Sequence, residues 1–234
     1  MFQSSLSRIR VGFTLAAVTA LLVLSTGSVA ADTGGPGGDG TWTQNGKTAD
    51  VYAPGGCVLN EDATETCTDL GASVFVGKMS STLSGVTHAN QVCVYVDEYT
   101  YDTETGDVVG ETVGKGCDVD LPSGTIAFGS GLSSVTLASR TISVEMAICD
   151  ATECVPASNR NVTVAGTWTG IGPISSSKYR YSGDDGTCRY GESGKGSSRD
   201  ATFAGTIDGI TVGEDSFGSI QDGKFSYRSR CIEV

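Results

Sequence analysis

The chain contains one histidine, His88, in the segment Gly85-Val86-Thr87-His88-Ala89-Asn90, so a hydroxyl nucleophile activated by imidazole would have to use it. No Gly-x-Ser-x-Gly elbow accompanies it, and Gly129-Ser130-Gly131 is too short to be one. The eight cysteines (Cys57, Cys67, Cys93, Cys117, Cys149, Cys154, Cys188 and Cys231) lack the Cys-x-x-Cys spacing of a zinc site. They are even in number and follow an export-like segment, so they read as disulfides rather than as reactive thiols. Eight cysteines allow 105 pairings. Neighbour order gives 57 with 67, 93 with 117, 149 with 154, and 188 with 231. A weak internal repeat suggests instead 117 with 149 and 93 with 154. Both schemes keep Cys57–Cys67 and Cys188–Cys231, and those two bridges are the firm expectation.

Carboxylates are abundant. Hydrolysis of a polysaccharide needs two acids flanking the sugar bond. Asp97 and Glu98, Asp102 and Glu104, Asp118 and Asp120, Asp184 and Asp185, and Glu214 and Asp215 are all adjacent enough in sequence to be considered. Nothing singles out one pair. Calcium, a hard cation held by oxygen ligands, is the one metal the pattern suggests, at Asp102, Glu104 and Asp107. The segment departs from an EF-hand loop: its glycine comes one place early and Val113 stands where the last glutamate belongs. An ordinary hairpin turn is the simpler reading, and no other cofactor is expected. Tyr95, Tyr99 and Tyr101 share one parity and could form a stacking platform for a sugar or peptide, since tyrosine joins an apolar ring face to a polar tip.

Elements must hold these residues in place, and the chain announces their type. Residues 1–30 read as a signal peptide: Arg8 and Arg10 precede an apolar run from Val11 to Leu24, and Ser28-Val29-Ala30 supplies a small-residue cleavage site. The run is too short to span a bilayer, so no stable membrane insertion is expected after cleavage and the mature protein is expected to be secreted. Residues 31–41 are a flexible glycine-rich linker. Beyond it, short alternating segments rich in Val, Thr, Ile and Tyr are punctuated by Gly, Ser, Asp and Asn, which predicts strands throughout. Val92, Val94 and Val96 share one strand face and Cys93, Tyr95, Asp97, Tyr99 and Tyr101 the other. Ile142, Val144, Met146 and Ile148 form a second apolar stripe, and Val162, Val164 and Trp168 a third. Asp208-Gly209 is a two-residue hairpin signal. The repeat runs through Phe128, Leu132, Val135, Thr136 and Leu137, matched by Phe203, Ile207, Ile210, Thr211 and Val212. The fold class predicted is all-β, a disulfide-stapled antiparallel sandwich-like arrangement, with an acidic unit at 42–158 and a smaller one at 159–234 that the repeat would make tandem relatives.

Charge divides along the same line. Beyond residue 30, thirteen Lys and Arg face 27 Asp and Glu, leaving −14. Residues 31–160 hold 18 acids and 5 bases, whereas residues 161–234 hold 9 and 8. So acidic a chain is a poor partner for nucleic acid. Within the second half Lys224, Arg228 and Arg230 share one parity, a face that could meet an acidic partner, including the first half of the protein itself. Asn161-Val162-Thr163 fits the N-glycosylation acceptor pattern, to which no function is attached. These features favour a secreted, non-catalytic binding or surface-interaction protein whose ligand is an extracellular protein or carbohydrate. The alternatives are a secreted hydrolase using two carboxylates and a disulfide-rich protease inhibitor with a rigid loop near a staple.

Overall fold

The structure, a computed structural model, describes residues 40–82, 85, 87–149, 153–184, 188–213 and 216–231. The expected signal peptide and most of the linker lie outside them. Eleven strands follow one another: β1 (Gly40–Leu59), β2 (Thr64–Ser81), β3 (Thr87–Asp102), β4 (Val108–Asp118), β5 (Ile126–Phe128), β6 (Ser134–Cys149), β7 (Cys154–Pro156), β8 (Arg160–Asp184), β9 (Cys188–Ile207), β10 (Ile210–Val212) and β11 (Phe217–Cys231). A single 3-10 turn at Ser130–Leu132 is the one helical element among the described residues. No helix there is long and apolar enough to cross a membrane.

Every pairing is antiparallel, and the ladder closes on itself. β1 pairs β2, β2 pairs β3, β3 pairs β4, β4 pairs β6, β6 pairs β8, β8 pairs β9, β9 pairs β11, and β11 returns to β1. Eight strands thus form an up-and-down barrel, with β5, β7 and β10 as short additions beside β6 and β9. The all-β, disulfide-stapled architecture predicted from alternation is present, and its two-layer packing is achieved by one sheet rolled around one core. The boundary placed at residue 158 falls between β7 and β8, and the β6–β8 and β1–β11 ladders cross it.

The barrel interior collects one parity from each strand. Ala49, Val51 and Ala53 of β1 meet Leu70, Ala72 and Val74 of β2 and Val92, Val94 and Val96 of β3, all buried. Across from them lie Val144, Val164, Phe203, Ile207, Ile220 and Trp168, the last with its ring 4.6 Å from that of Phe203. Burying such side chains stabilises each by about 1.5 to 3 kcal/mol, which makes this stripe the main driving force for closure. β4 contributes glycines instead: a Cβ on Gly114 would collide with Met146 and Val144, so its bareness lets β6 pack close. The outer wall carries Thr136, Thr141, Thr163, Thr167, Thr202 and Glu145. The lumen is filled with apolar side chains, and the outward face also carries Tyr52 and Phe217, opposite one another on β1 and β11.

All four disulfides join residues directly opposite each other on paired strands: Cys57–Cys67, Cys93–Cys117, Cys149–Cys154 and Cys188–Cys231. The neighbour-order scheme is the one realised, and no described cysteine is free. The Asp208-Gly209 turn joins β9 to β10 with positive φ at both residues, 54° and 78°. The two copies of the sequence repeat fold into unlike hairpins. Phe128 pairs Val135 across a 3-10 turn in the first, whereas Ile207 pairs Ile210 across a two-residue turn in the second.

Candidate functional site

Five strands outrun the barrel at one end. Residues 40–48 of β1, 75–81 of β2, 172–184 of β8, 188–199 of β9 and 220–231 of β11 continue as a sheet in the order β8-β9-β11-β1-β2, with Thr87, His88 and Ala89 of β3 paired along the outer side of β2. Every residue from Ile171 to Ser182 is exposed, so β8 has no second layer over either face. This paddle holds together by its ladders and by Cys188–Cys231 across β9 and β11 at its tip. Two registers decide what each face carries. Residues opposite one another on antiparallel strands point to the same side, and the register shift between Ile171 and Ser175 adds two residues to β8, so its even positions stay on the side of Trp168 beyond it.

On the face continuous with the barrel interior, the paddle carries cations. Lys178 and Arg180 come from β8, Arg189, Lys195 and Arg199 from β9, and Lys224, Arg228 and Arg230 from β11. Lys47 of β1 and Lys78 of β2 complete the set. Ten of the thirteen Lys and Arg beyond residue 30 therefore share one side of one sheet. Lys178, Lys195 and Lys224 stand directly opposite one another on three successive strands, a row about 10 Å long at the usual strand spacing. Asn45 and Lys78 extend the row across β1 and β2. Asp184 and Asp222 are the acids on this face, and Arg189 bonds Asp184 at 2.9 Å. That is the one ion pair made by any of the ten among the described residues. The row beside Arg180 is hydroxylic throughout: Ser193, Ser226, Thr43 and Ser80.

The opposite face is aromatic. Trp42, Tyr179, Tyr181, Tyr190, Phe225 and Tyr227 share it, with the Trp42 and Phe225 rings 4.7 Å apart and those of Tyr181 and Tyr190 5.9 Å apart. A Cβ at Gly194 would strike the ring of Tyr179, and one at Gly183 the ring of Tyr190, so these rings lie across the glycines of neighbouring strands. That packing covers backbone that a lone layer would leave bare. Desolvation, together with a hydrogen bond to Glu192 and that carboxylate's charge, pushes the Tyr179 hydroxyl up to about 12.

The other end of the barrel is the electrostatic counterpart. The hairpins β1–β2 and β3–β4 bring together Glu61, Asp62, Glu65 and Asp69 with Asp97, Glu98, Asp102, Glu104, Asp107 and Glu111, and no Lys or Arg stands between residues 48 and 77 or between 79 and 114. Asp69 and Asp97 are directly opposite on β2 and β3. Burial, then the charges of Asp69 and Glu111, raise the Asp97 carboxyl above its ordinary range. Glu98 is the exception, since Arg160 bonds it at 2.8 Å and also bonds Asp208, clamping β3, β8 and the β9–β10 turn together.

The residues singled out from sequence sit mostly in this acidic half. Tyr95, Tyr99 and Tyr101 do share the outer wall, and all three are half-buried. Lys115 lies 5.2 Å from the Tyr95 ring centroid, and the Tyr99 and Tyr101 rings are 6.4 Å apart. Desolvation and the carboxylates of Asp97, Glu111 and Asp69 raise the Tyr99 hydroxyl. Asp102, Glu104 and Asp107 form a hairpin turn in which Asp102 Oδ1 accepts the backbone N–H groups of Glu104 and Thr105, both at 2.8 Å. Those bonds hold the Asp102 carboxyl below its ordinary range. Their carboxylates do not converge; among the described residues only Cys57, Glu65 and Cys67 lie close enough to share an ion, and both sulfurs are in a disulfide.

Of the acid pairs, Asp97 and Glu98 occupy opposite faces of β3. Asp118 lies 3.7 Å from Arg140, and Asp120 accepts from Ala89 N–H and meets His88 Nδ1 at 3.1 Å. Asp185, Glu214 and Asp215 fall outside the described residues. A hollow of about 210 Å³ beside the barrel mouth is lined by Val76, Gly77, Asn90, Pro122, Ser123, Gly124 and Ile126, and holds no acid or base. The Lys224, Arg228 and Arg230 stripe was visible as a shared parity, and Arg189, Lys195 and Arg199 share a parity too. What joins the stripes is register between distant strands. Compared with protein-family models, curated proteins and solved structures, the chain matches none.

Proposed function

We propose that this is an exported, non-catalytic interaction protein whose working surface is the cationic face of the paddle, and whose partner presents a run of anionic groups. The observation that carries this reading is the row Lys178, Lys195 and Lys224 on adjacent strands. Like charges directly opposite in a sheet are destabilising, and a solvated face of a protein this acidic would be built more stably with mixed signs. A partner that supplies negative charge removes the repulsion. Flanking hydroxyls on Ser193, Ser226 and Thr43 add hydrogen-bond donors for carboxylate or sulfate oxygens. Four disulfides suit an oxidising exterior, and the leader-like residues 1–30 supply the route there.

Chromatography of the mature oxidised protein on dextran sulfate tests this. A chain of net charge −14 should be excluded by a polyanion, yet it is expected to be retained at low salt and released as salt screens the contact. The triple substitution Lys178→Glu, Lys195→Glu, Lys224→Glu is expected to elute in the void volume. Passage of the unmodified protein through the column at low salt would sink the proposal.

A further inference from the structure

The cationic paddle and the acidic hairpins sit at opposite ends of the same strands, and neither can neutralise the other within one molecule. β1 runs from Asn45 in the lysine row to Leu59 at the acidic tip, about 45 Å at the rise of an extended strand. That is several times the screening length of physiological salt, about 8 Å. Ten bases share the paddle face, and the acidic ends of the β1–β2 and β3–β4 hairpins carry ten carboxylates, of which Glu98 alone is bonded to a base, Arg160, among the described residues. Both surfaces carry like charges at directly opposed positions, Lys178, Lys195 and Lys224 on one, Asp69 and Asp97 on the other.

We infer that the partner of the cationic face is a second copy of this chain, which docks its acidic β1–β2 and β3–β4 hairpins head to tail on the paddle. The inference rests on the reading of that face as a docking surface. A soluble polyanion would relieve only the paddle; a second copy relieves both surfaces in one contact and is present wherever the protein is. Because the two patches differ, the contact is heterologous. Each bound copy still offers a free paddle or a free acidic end, so addition continues as an open chain unless the rotation happens to close a ring. The cohesion is ionic and solvent-exposed, so assembly is expected to be reversible and to dissolve as salt rises.

Sedimentation of the mature oxidised protein at low and high salt tests this with two variants. The head variant is Lys178→Glu, Lys195→Glu, Lys224→Glu. The tail variant is Glu61→Lys, Glu104→Lys, Asp107→Lys, all exposed positions. The unmodified protein is expected to form species larger than dimers at low salt and monomers at high salt, while each variant alone stays monomeric. An equimolar mixture of the variants is expected to stop at dimers, because only one intact paddle and one intact acidic end remain to meet. That rescue also shows that both variants are folded. Monomers of unmodified protein at low salt, with retention on dextran sulfate intact, would overturn the self-partner and leave the docking face standing with a foreign polyanion as its ligand. Loss of both would overturn the docking face as well. Self-association that survives in either variant alone would overturn the head-to-tail contact.

Discussion

Among single residues, Asp50 carries the clearest energetic consequence. It lies on β1 where the paddle leaves the barrel; its Oδ1 accepts the Ser219 hydroxyl at 2.7 Å, and its backbone carbonyl accepts the Trp168 indole N–H at 2.9 Å. Burial pushes its carboxyl from 3.8 up to about 6, against a smaller opposing pull from the Ser219 bond. An acid whose affinity for its proton is higher in the native state than in the unfolded chain costs stability once ionised. Its contribution therefore falls as pH rises from about 4 through 6 and is level above that. Asp50→Asn removes the ionisation and keeps the shape. The variant is expected to be more stable than the parent at pH 7.5 by up to about 3 kcal/mol, with no difference near pH 4. Urea melts of both proteins at the two pH values check this, and a parent that gains on the variant as pH rises would refute it.

At the scale of elements, the paddle sets binding against stability. Lys195 sits between Lys178 and Lys224, so Lys195→Glu converts two repulsions into two attractions. The substitution is expected to raise stability by up to about 1 kcal/mol at low salt, with the gain lost at high salt, while retention on dextran sulfate weakens. Thermal melts at two salt concentrations and the column together check it. A destabilised variant would mean that the lysine row is not strained by its own charge.

How much of this was legible beforehand follows from which information is local. Val92, Val94 and Val96 announced a half-buried strand because alternation needs only neighbours in the chain, and Asp208-Gly209 announced a turn for the same reason. Cysteine order announced Cys57–Cys67 and Cys188–Cys231 and left Cys93, Cys117, Cys149 and Cys154 open between two schemes, because the choice depends on which strands pair. Barrel closure was not legible: it depends on β1 meeting β11, where Gly40 pairs Ser229 from the far end of the chain. Nor was the ten-cation face. The register shift after Leu137 resets parity within β6, and Lys178, Lys195 and Lys224 come from three separate strands, so they could not be assigned to one side without the ladders.

For the whole molecule, the same long strands serve two regimes of stability. In the ring, residues 92–96 of β3 are backed by a buried core, so their amides open only with the barrel. In the paddle, residues 171–182 of β8 are exposed on both faces, and their hydrogen bonds to β9 are shielded only by the aromatic rings on one side. Local opening there costs far less than global unfolding, although Cys188–Cys231 still ties β9 to β11 at the tip. Hydrogen exchange read by mass spectrometry at high salt, where assembly is dispersed, is expected to show residues 171–182 exchanging orders of magnitude faster than residues 92–96. Lowering the salt should slow exchange in the paddle and in the β1–β2 and β3–β4 hairpins together, while the ring is unchanged, because head-to-tail contact covers both ends at once. Protection that rises at the paddle alone as salt falls would overturn the head-to-tail contact, which has to cover the acidic hairpins as well. Equal protection of residues 171–182 and 92–96 at high salt would mean that the paddle folds and unfolds as part of the barrel.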